Sequence, residues 1–268
     1  MSIATATACQ RPDRVALMGL DFAAFSERDT IDYVLGALAE GRGGWISTVN
    51  LDILRQWRQR PEVRDLLSQA DLVVADGMPL IWAGGIQGSP LPERVAGSTL
   101  VRTLSQAASV AGASIFLLGG NPGTAEAAAD ALMEGCRGIR VAGTLCPPVG
   151  FESDPDWIDR IERSLCESNP DIVFVGLGCP KQERLIVALR QHLPHAWFIP
   201  CGISFSFLAG EVQRAPVMIQ RVGLEWLHRM FQEPARLVRR YLVQGIPFLL
   251  ELLCSALLTR VRGARASR

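Results

Sequence analysis

The sequence predicts an α/β fold in which a parallel sheet, of the nucleotide-binding type, is covered by helices on both faces. Three observations carry this expectation. Short runs that are apolar at nearly every position recur along the chain, among them "GWISTVN", "DLVVAD", "SIFLLGG", "DIVFVGLG" and "AWFIPCG". Strands buried on both faces read this way, whereas half-exposed strands alternate. Longer amphipathic stretches lie between the runs, as crossovers between parallel strands require. Glycine and polar residues gather directly behind the apolar runs, where open parallel sheets bind ligands.

Taken in order, "MSIATATACQRPDR" has neither a charged leader nor an apolar stretch. No signal peptide is expected, which puts the protein on the cytoplasmic side. "VALMGLDF" reads as a first strand, and "GWISTVN" as a second that ends at Thr48 and Asn50. "LDILRQWRQRPEVRDLLSQA" has the helical period. "DLVVAD" runs straight into Asp76 and Gly77. A carboxylate at the mouth of a buried strand is costly unless something uses it. Its plain alternative is a cap for the next helix.

"SIFLLGG" leads through Gly119, Gly120 and Gly123 into the helix "TAEAAADALMEG". The turn lets backbone approach a ligand, and the helix start offers N–H donors to an anion. It matches neither the P-loop nor GxGxxG, and a tight turn capped by Thr124 is the plain reading. "IRVAGTL" is a further strand. In "FESDPDWIDRI" Asp154 before Pro155 reads as a helix cap rather than a metal ligand. "VFVGLGCPKQERLI" repeats the glycine turn at Gly176 and Gly178, and Lys181, Gln182 and Glu183 open the next helix. A lysine at that position opposes the helix dipole, so it reads as facing a bound anion. "AWFIPCG" is the last strand.

A chain of 268 residues, 49% of them hydrophobic, buries a large core as one domain or two intimate halves. Lysine plus arginine equals aspartate plus glutamate at 27 each, which gives no argument for a nucleic-acid partner. Seven scattered cysteines without CxxC spacing read as reduced core thiols. His192, His195 and His228 lack ligand spacing, so no metal site is expected, and no GxSxG elbow occurs. The alanine-rich helix after Gly123 leaves self-association open.

Residues 213–268 differ in character from the core over residues 1–212. Arg214, Arg221, Arg229, Arg236, Arg239 and Arg240 crowd into one stretch, and Pro234 separates "WLHRM" from "ARLVRRY". Such arginines can neutralise phosphate. The closing "IPFLLELLCSALLTRVRGARASR" carries Pro247 and Glu251, which make it poor as a membrane-spanning helix. Glu251, Ser255, Thr259 and Arg262 share one stripe, with leucines on the rest, and arginines follow. That pattern reads as interfacial membrane binding.

From about residue 15 to residue 241 the sequence resembles the WecG/TagA/CpsF family of bacterial glycosyltransferases, glycosyltransferase family 26. The resemblance rests on "TVN", "ADGMPLIW", "ERVAGS", "LLGGNPGTAE", "GTLCPPVGF", "VGLGCPKQE" and "RAPVMIQRVGLEWLHRMFQEPARLVRRY". It implies a Rossmann-like core and a C-terminal helical, membrane-associating appendage. It also implies inverting, metal-independent transfer from a UDP-sugar, with no cofactor, to a glycan on a polyprenyl diphosphate at the inner face of the plasma membrane. By similarity Asp76 corresponds to the general base, and Thr48, Asn50, Arg94 and Gln182 to pocket residues. Arg229, Arg236 and Arg239 match appendage arginines that contact the diphosphate. With them, Gly77, Gly120, Gly178 and Lys181 complete the candidate substrate-binding set. Ser206 and Thr99 stand where the family often has Asp, so the donor sugar is not carried over. The alternatives are a catalytically silent sugar-nucleotide-binding assembly subunit and a nucleotide-dependent oxidoreductase.

Overall fold

The structure, a computed structural model, describes residues 12–221 and 223–266. Cys9 lies outside the described residues, as do the side chains of Arg221 and Arg236. The chain opens with an antiparallel hairpin, β1 (Arg14–Leu17) and β2 (Leu20–Ala23), where one strand was expected. Met18 and Gly19 both take positive φ, and this two-residue turn reverses the chain.

Six strands then build one parallel sheet: β3 (Gly44–Val49), β4 (Leu72–Ala75), β5 (Ser114–Gly119), β6 (Arg140–Leu145), β7 (Ile172–Gly176) and β8 (Trp197–Pro200). Their order is β4-β3-β8-β7-β5-β6. Around them run α1 (Glu27–Ala39), α2 (Leu51–Gln59), α3 (Pro61–Leu67), α4 (Met78–Gln87), α5 (Gly97–Ala111), α6 (Thr124–Gly135), α7 (Pro155–Ser168) and α8 (Lys181–Leu189). After β8 the chain is helical: α9 (Ser204–Leu208), α10 (Val217–Arg221), α11 (Glu225–Gln232), α12 (Pro234–Val238), a π-helical turn (Arg239–Gly245) and α13 (Ile246–Ala266).

Alternate strand residues enter two separate cores, as a period of two demands. Val49, Val73, Phe116, Val173 and Phe198 pack with α2, α3, α7 and α8. Ile46, Val74, Leu117, Phe174 and Ile199 pack with α1, α5 and α6. The alanine face of α6 is spent here, since Ala125, Ala128 and Ala129 are buried in that second core. Helical period was expected without a break over residues 51–70, but Pro61 divides it, because proline starts a helix easily and cannot continue one. Asp154 caps α7 by accepting from Asp156 N at 3.1 Å, as expected.

One close approach sets the sheet's ligand-facing end. Gly119 has φ +110°, and a Cβ there would lie 2.6 Å from the Gly176 carbonyl oxygen of the neighbouring strand. Backbone cannot yield as a flexible side chain does. Gly119→Ala therefore lowers stability by about 2–4 kcal/mol in a urea titration; an unchanged midpoint would contradict this packing.

The C-terminal helix departs from its sequence reading. Residues 239–264 form one continuous helical rod of 26 residues, long and apolar enough to cross a membrane by length and composition. Pro247 does not break it, because it falls in the first turn of α13, directly behind the π turn. Phe248, Leu252 and Ala256, four apart, are buried in the first core, and α13 packs along α4. Ile246, Leu250, Leu257, Leu258 and Val261 are exposed.

Candidate active site

The carboxyl ends of β3, β4, β5, β7 and β8 floor a cleft of about 1040 Å³, and α11 and the π turn contribute its other wall. Thr48, Asn50, Asp76, Gly77, Arg94, Gly120, Gly178, Lys181, Gln182 and Arg229 all line it. Arg239 does not: it is exposed, while its neighbour Arg240 lines the cleft. The π turn begins at Arg239 and accommodates an extra residue, so side chains there do not keep α-helical positions. The side chain of Arg236 lies outside the described residues.

Several of these groups have structural duties that limit what they can offer a ligand. Asn50 caps α2, its Oδ1 accepting from Asp52 N and Ile53 N at 3.1 Å each, so its Nδ2 remains for a ligand. The Thr48 hydroxyl donates to Pro200 O at 3.2 Å. Gln182 is buried, its Oε1 accepting from Gly178 N at 3.1 Å and its Nε2 donating to Glu183 Oε1 at 2.9 Å. Burial also pushes the Glu183 carboxyl above its ordinary range. Glu183 thus holds the Gln182 amide in place through this bond. Lys181 lines the cleft, but its ammonium pairs with Glu152.

The glycine turn into α6 also differs from expectation. Gly123, not Thr124, is the N-cap residue. The Thr124 hydroxyl donates instead to Glu211, which also accepts from Asn121 Nδ2 at 3.3 Å. A carboxylate of the protein itself therefore sits at that helix start, while Gly120 and Asn121 still face the cleft.

Asp76 follows β4 directly, and its backbone N–H donates to Val49 O at 2.8 Å. Its carboxylate accepts from Gly97 N at 3.3 Å, at the start of α5. Gly97 packs closely there, since a Cβ would lie 3.1 Å from Thr48 Oγ1 and 3.3 Å from Pro200 O. Gly77 is held to glycine by its backbone instead: a Cβ would meet Pro79 Cδ at an ordinary 3.7 Å, but its φ of +158° is one that L side chains rarely adopt. Exclusion from bulk water pushes the Asp76 pKa up to about 6, against the pull of Arg94 and the Gly97 N–H. A carboxyl that titrates near neutrality, half-buried in a large cleft, is suited to proton transfer.

The wall contributed by α11 and the π turn is cationic. Arg229 lies over the Phe207 ring at 5.8 Å, and Arg240 is 3.1 Å from Asp52. The Nε of each arginine is buried without a hydrogen-bond partner among the described residues. Arg94 pairs with Glu225 at 2.9 Å. Sequence reasoning passed over Glu225, since nothing in "GLEW" marks a residue that reaches back across 131 positions. Among the described residues, no three His, Cys, Asp or Glu side chains are grouped to hold a metal ion.

Two relatives carry the description N-acetylglucosaminyldiphosphoundecaprenol N-acetyl-beta-D-mannosaminyltransferase. The one from Bacillus spizizenii is 31% identical over 199 residues, covering 74% of this chain and 75% of its own. The one from Bacillus subtilis strain 168 is 30% identical over 217 residues, covering 80% and 79%. The profile described as Glycosyl transferase WecG/TagA/CpsF family matches residues 15–262, which takes in every strand of the parallel sheet, Asp76 and the cationic wall. The protein belongs to the WecG/TagA/CpsF family of glycosyltransferases.

Proposed function

We propose that this glycosyltransferase moves a hexose or N-acetylhexosamine from a UDP-sugar to a glycan carried on a polyprenyl diphosphate, inverting the anomeric centre without a metal ion. The observation that carries the reading is Asp76, a carboxyl poised near pH 6 in a cleft walled by arginines. Asp76 takes the proton from the acceptor hydroxyl as that oxygen attacks the anomeric carbon. The bond from that carbon to the phosphate oxygen breaks on the opposite face, and UDP departs with the electron pair. Arg229 and Arg240, which line the cleft with a buried Nε that has no hydrogen-bond partner among the described residues, supply positive charge for the departing UDP. The printed descriptions of both relatives name an undecaprenyl-diphosphate-linked acceptor, which supports the same acceptor class here. The apolar face of α13 is compatible with work at a membrane surface on the cytoplasmic side.

The test is transfer from a panel of UDP-sugars to lipid-linked glycans in membrane extract, with and without EDTA. Product with inverted configuration should form at equal rates in both. Loss of transfer in EDTA, restored by added Mg²⁺, would refute the metal-free step. No product from any UDP-sugar, in either condition, would refute the donor class.

A further inference from the structure

Glu225 stands in the first turn of α11, its side chain largely shielded, at a junction of three chain segments distant in sequence. Its Oε2 lies 2.9 Å from Arg94 Nη1, and its Oε1 lies 3.3 Å from Arg214 Nε. Arg214 in turn donates from Nη2 to Thr99 Oγ1 at 2.8 Å. Thr99 lies in the first turn of α5, the helix whose Gly97 N–H donates to Asp76. Two guanidiniums and two carboxylates therefore share one neighbourhood, and their charges cancel when both acids are ionised.

We propose that Glu225 is a positioning residue that fixes Arg94 and Arg214 beside the general base and keeps their charge from weakening it. The inference rests on the reading of Asp76 as that base. Its physical content is a balance. Arg94 and Arg214 favour the ionised form of Asp76, whereas Glu225 disfavours it. Unopposed, two cations would make Asp76 a stronger acid, and so a poorer acceptor of a hydroxyl proton. Arg94 would also be free to turn onto Asp76 and block it. Because Glu225 belongs to α11, the base has its full strength only while the C-terminal helices are seated on the core.

Glu225→Gln in the full chain tests this, since it keeps shape and removes charge. The titration of Asp76 is read directly from the ¹³C shift of its carboxyl, which needs neither donor nor acceptor. Its midpoint should move from about 6 to lower pH by about half a unit, the effect of one unit charge at high effective dielectric. In turnover assays the acidic limb should move the same way, and the plateau rate should fall about 3- to 10-fold. Arg214→Gln removes a charge of opposite sign, so it should move the midpoint upward. A merely structural contact would not give shifts of opposite direction. An unchanged Asp76 midpoint in folded Glu225→Gln overturns the proposal, as does an unchanged midpoint in Arg214→Gln if the first variant fails to fold. Carboxyl shifts as expected, in a protein that transfers no sugar, would leave the coupling standing and defeat only the reaction assigned to Asp76.

Discussion

Asp76→Asn lowers turnover by about 10²-fold or more while leaving UDP binding largely intact. The amide keeps the shape of the side chain and can still accept from Gly97 N, so the cleft should not rearrange. What it loses is the ability to hold a proton taken from the acceptor. In the unchanged enzyme the same group predicts an acidic limb in kcat/KM centred near pH 6, because below that pH the base is already protonated. Stability moves in the opposite sense. The native pKa of Asp76 lies above its unfolded value of about 3.8, so between pH 4 and 6 the native state holds more protons than the unfolded state. Stability therefore falls as pH rises through that window, and the full cost stands above pH 6. Asp76→Asn removes this cost and should raise stability at pH 7.5 by about 1–3 kcal/mol, with no gain at pH 4. A variant that is slow and less stable at neutral pH would point to damage rather than to a missing base. Wild-type turnover would remove Asp76 from the reaction altogether.

The expected pairing of lost turnover with gained stability has the same origin as the feature that makes Asp76 stand out in the sequence. A carboxylate behind four buried residues violates the local rule for burying charge, and sites are where such violations collect. The strand ends were legible for a related reason. Parallel strands buried on both faces leave an unmistakable apolar run, and the residue after each run must face the ligand side of the sheet. Thr48, Asn50, Gly120, Gly178 and Gln182 meet in one cleft on that principle alone. Other features have no local signature. The hairpin turn at Met18 and Gly19 looks like the middle of one strand, because its apolar pattern does not lapse. The helix α4 is so uniformly apolar that it shows no stripe: Leu80 and Ala83 enter the core, α13 packs along it, and the exposed Trp82 lines the cleft. Arg240 rather than Arg239 reaches the cleft because of a π turn, which no side-chain period announces. The pairs Lys181–Glu152 and Arg94–Glu225 depend on which loops the fold brings together.

The two faces of α13 lead to the second large effect. Replacing Leu250 and Leu257 together by Glu should lower partitioning onto anionic vesicles by about 10²-fold, with Tm nearly unchanged. The two residues are seven apart, on one side of the helix, and more than half exposed. Burying a leucine is worth about 1.5–3 kcal/mol, so partial insertion of two gives about 3 kcal/mol, which is the stated factor. Leu252 lies on the opposite side, against the core, and Leu252→Ala should do the reverse. It costs about 2–5 kcal/mol of folding stability and leaves the outer face intact. On the same two-sidedness we expect α13 to lie on a membrane rather than to cross it. To span, α13 would have to leave α4, exposing Phe248, Leu252 and Ala256 together with the surface they cover. To lie along the interface it keeps those contacts and adds lipid contact on Ile246, Leu250, Leu257, Leu258 and Val261, with Arg260 and Arg262 near anionic headgroups. Interfacial seating also keeps α11 and the π turn in the cleft wall, so Glu225 and Arg240 stay beside the site. Vesicle binding unchanged by the double substitution, or extraction of the protein only by detergent, would exclude this arrangement.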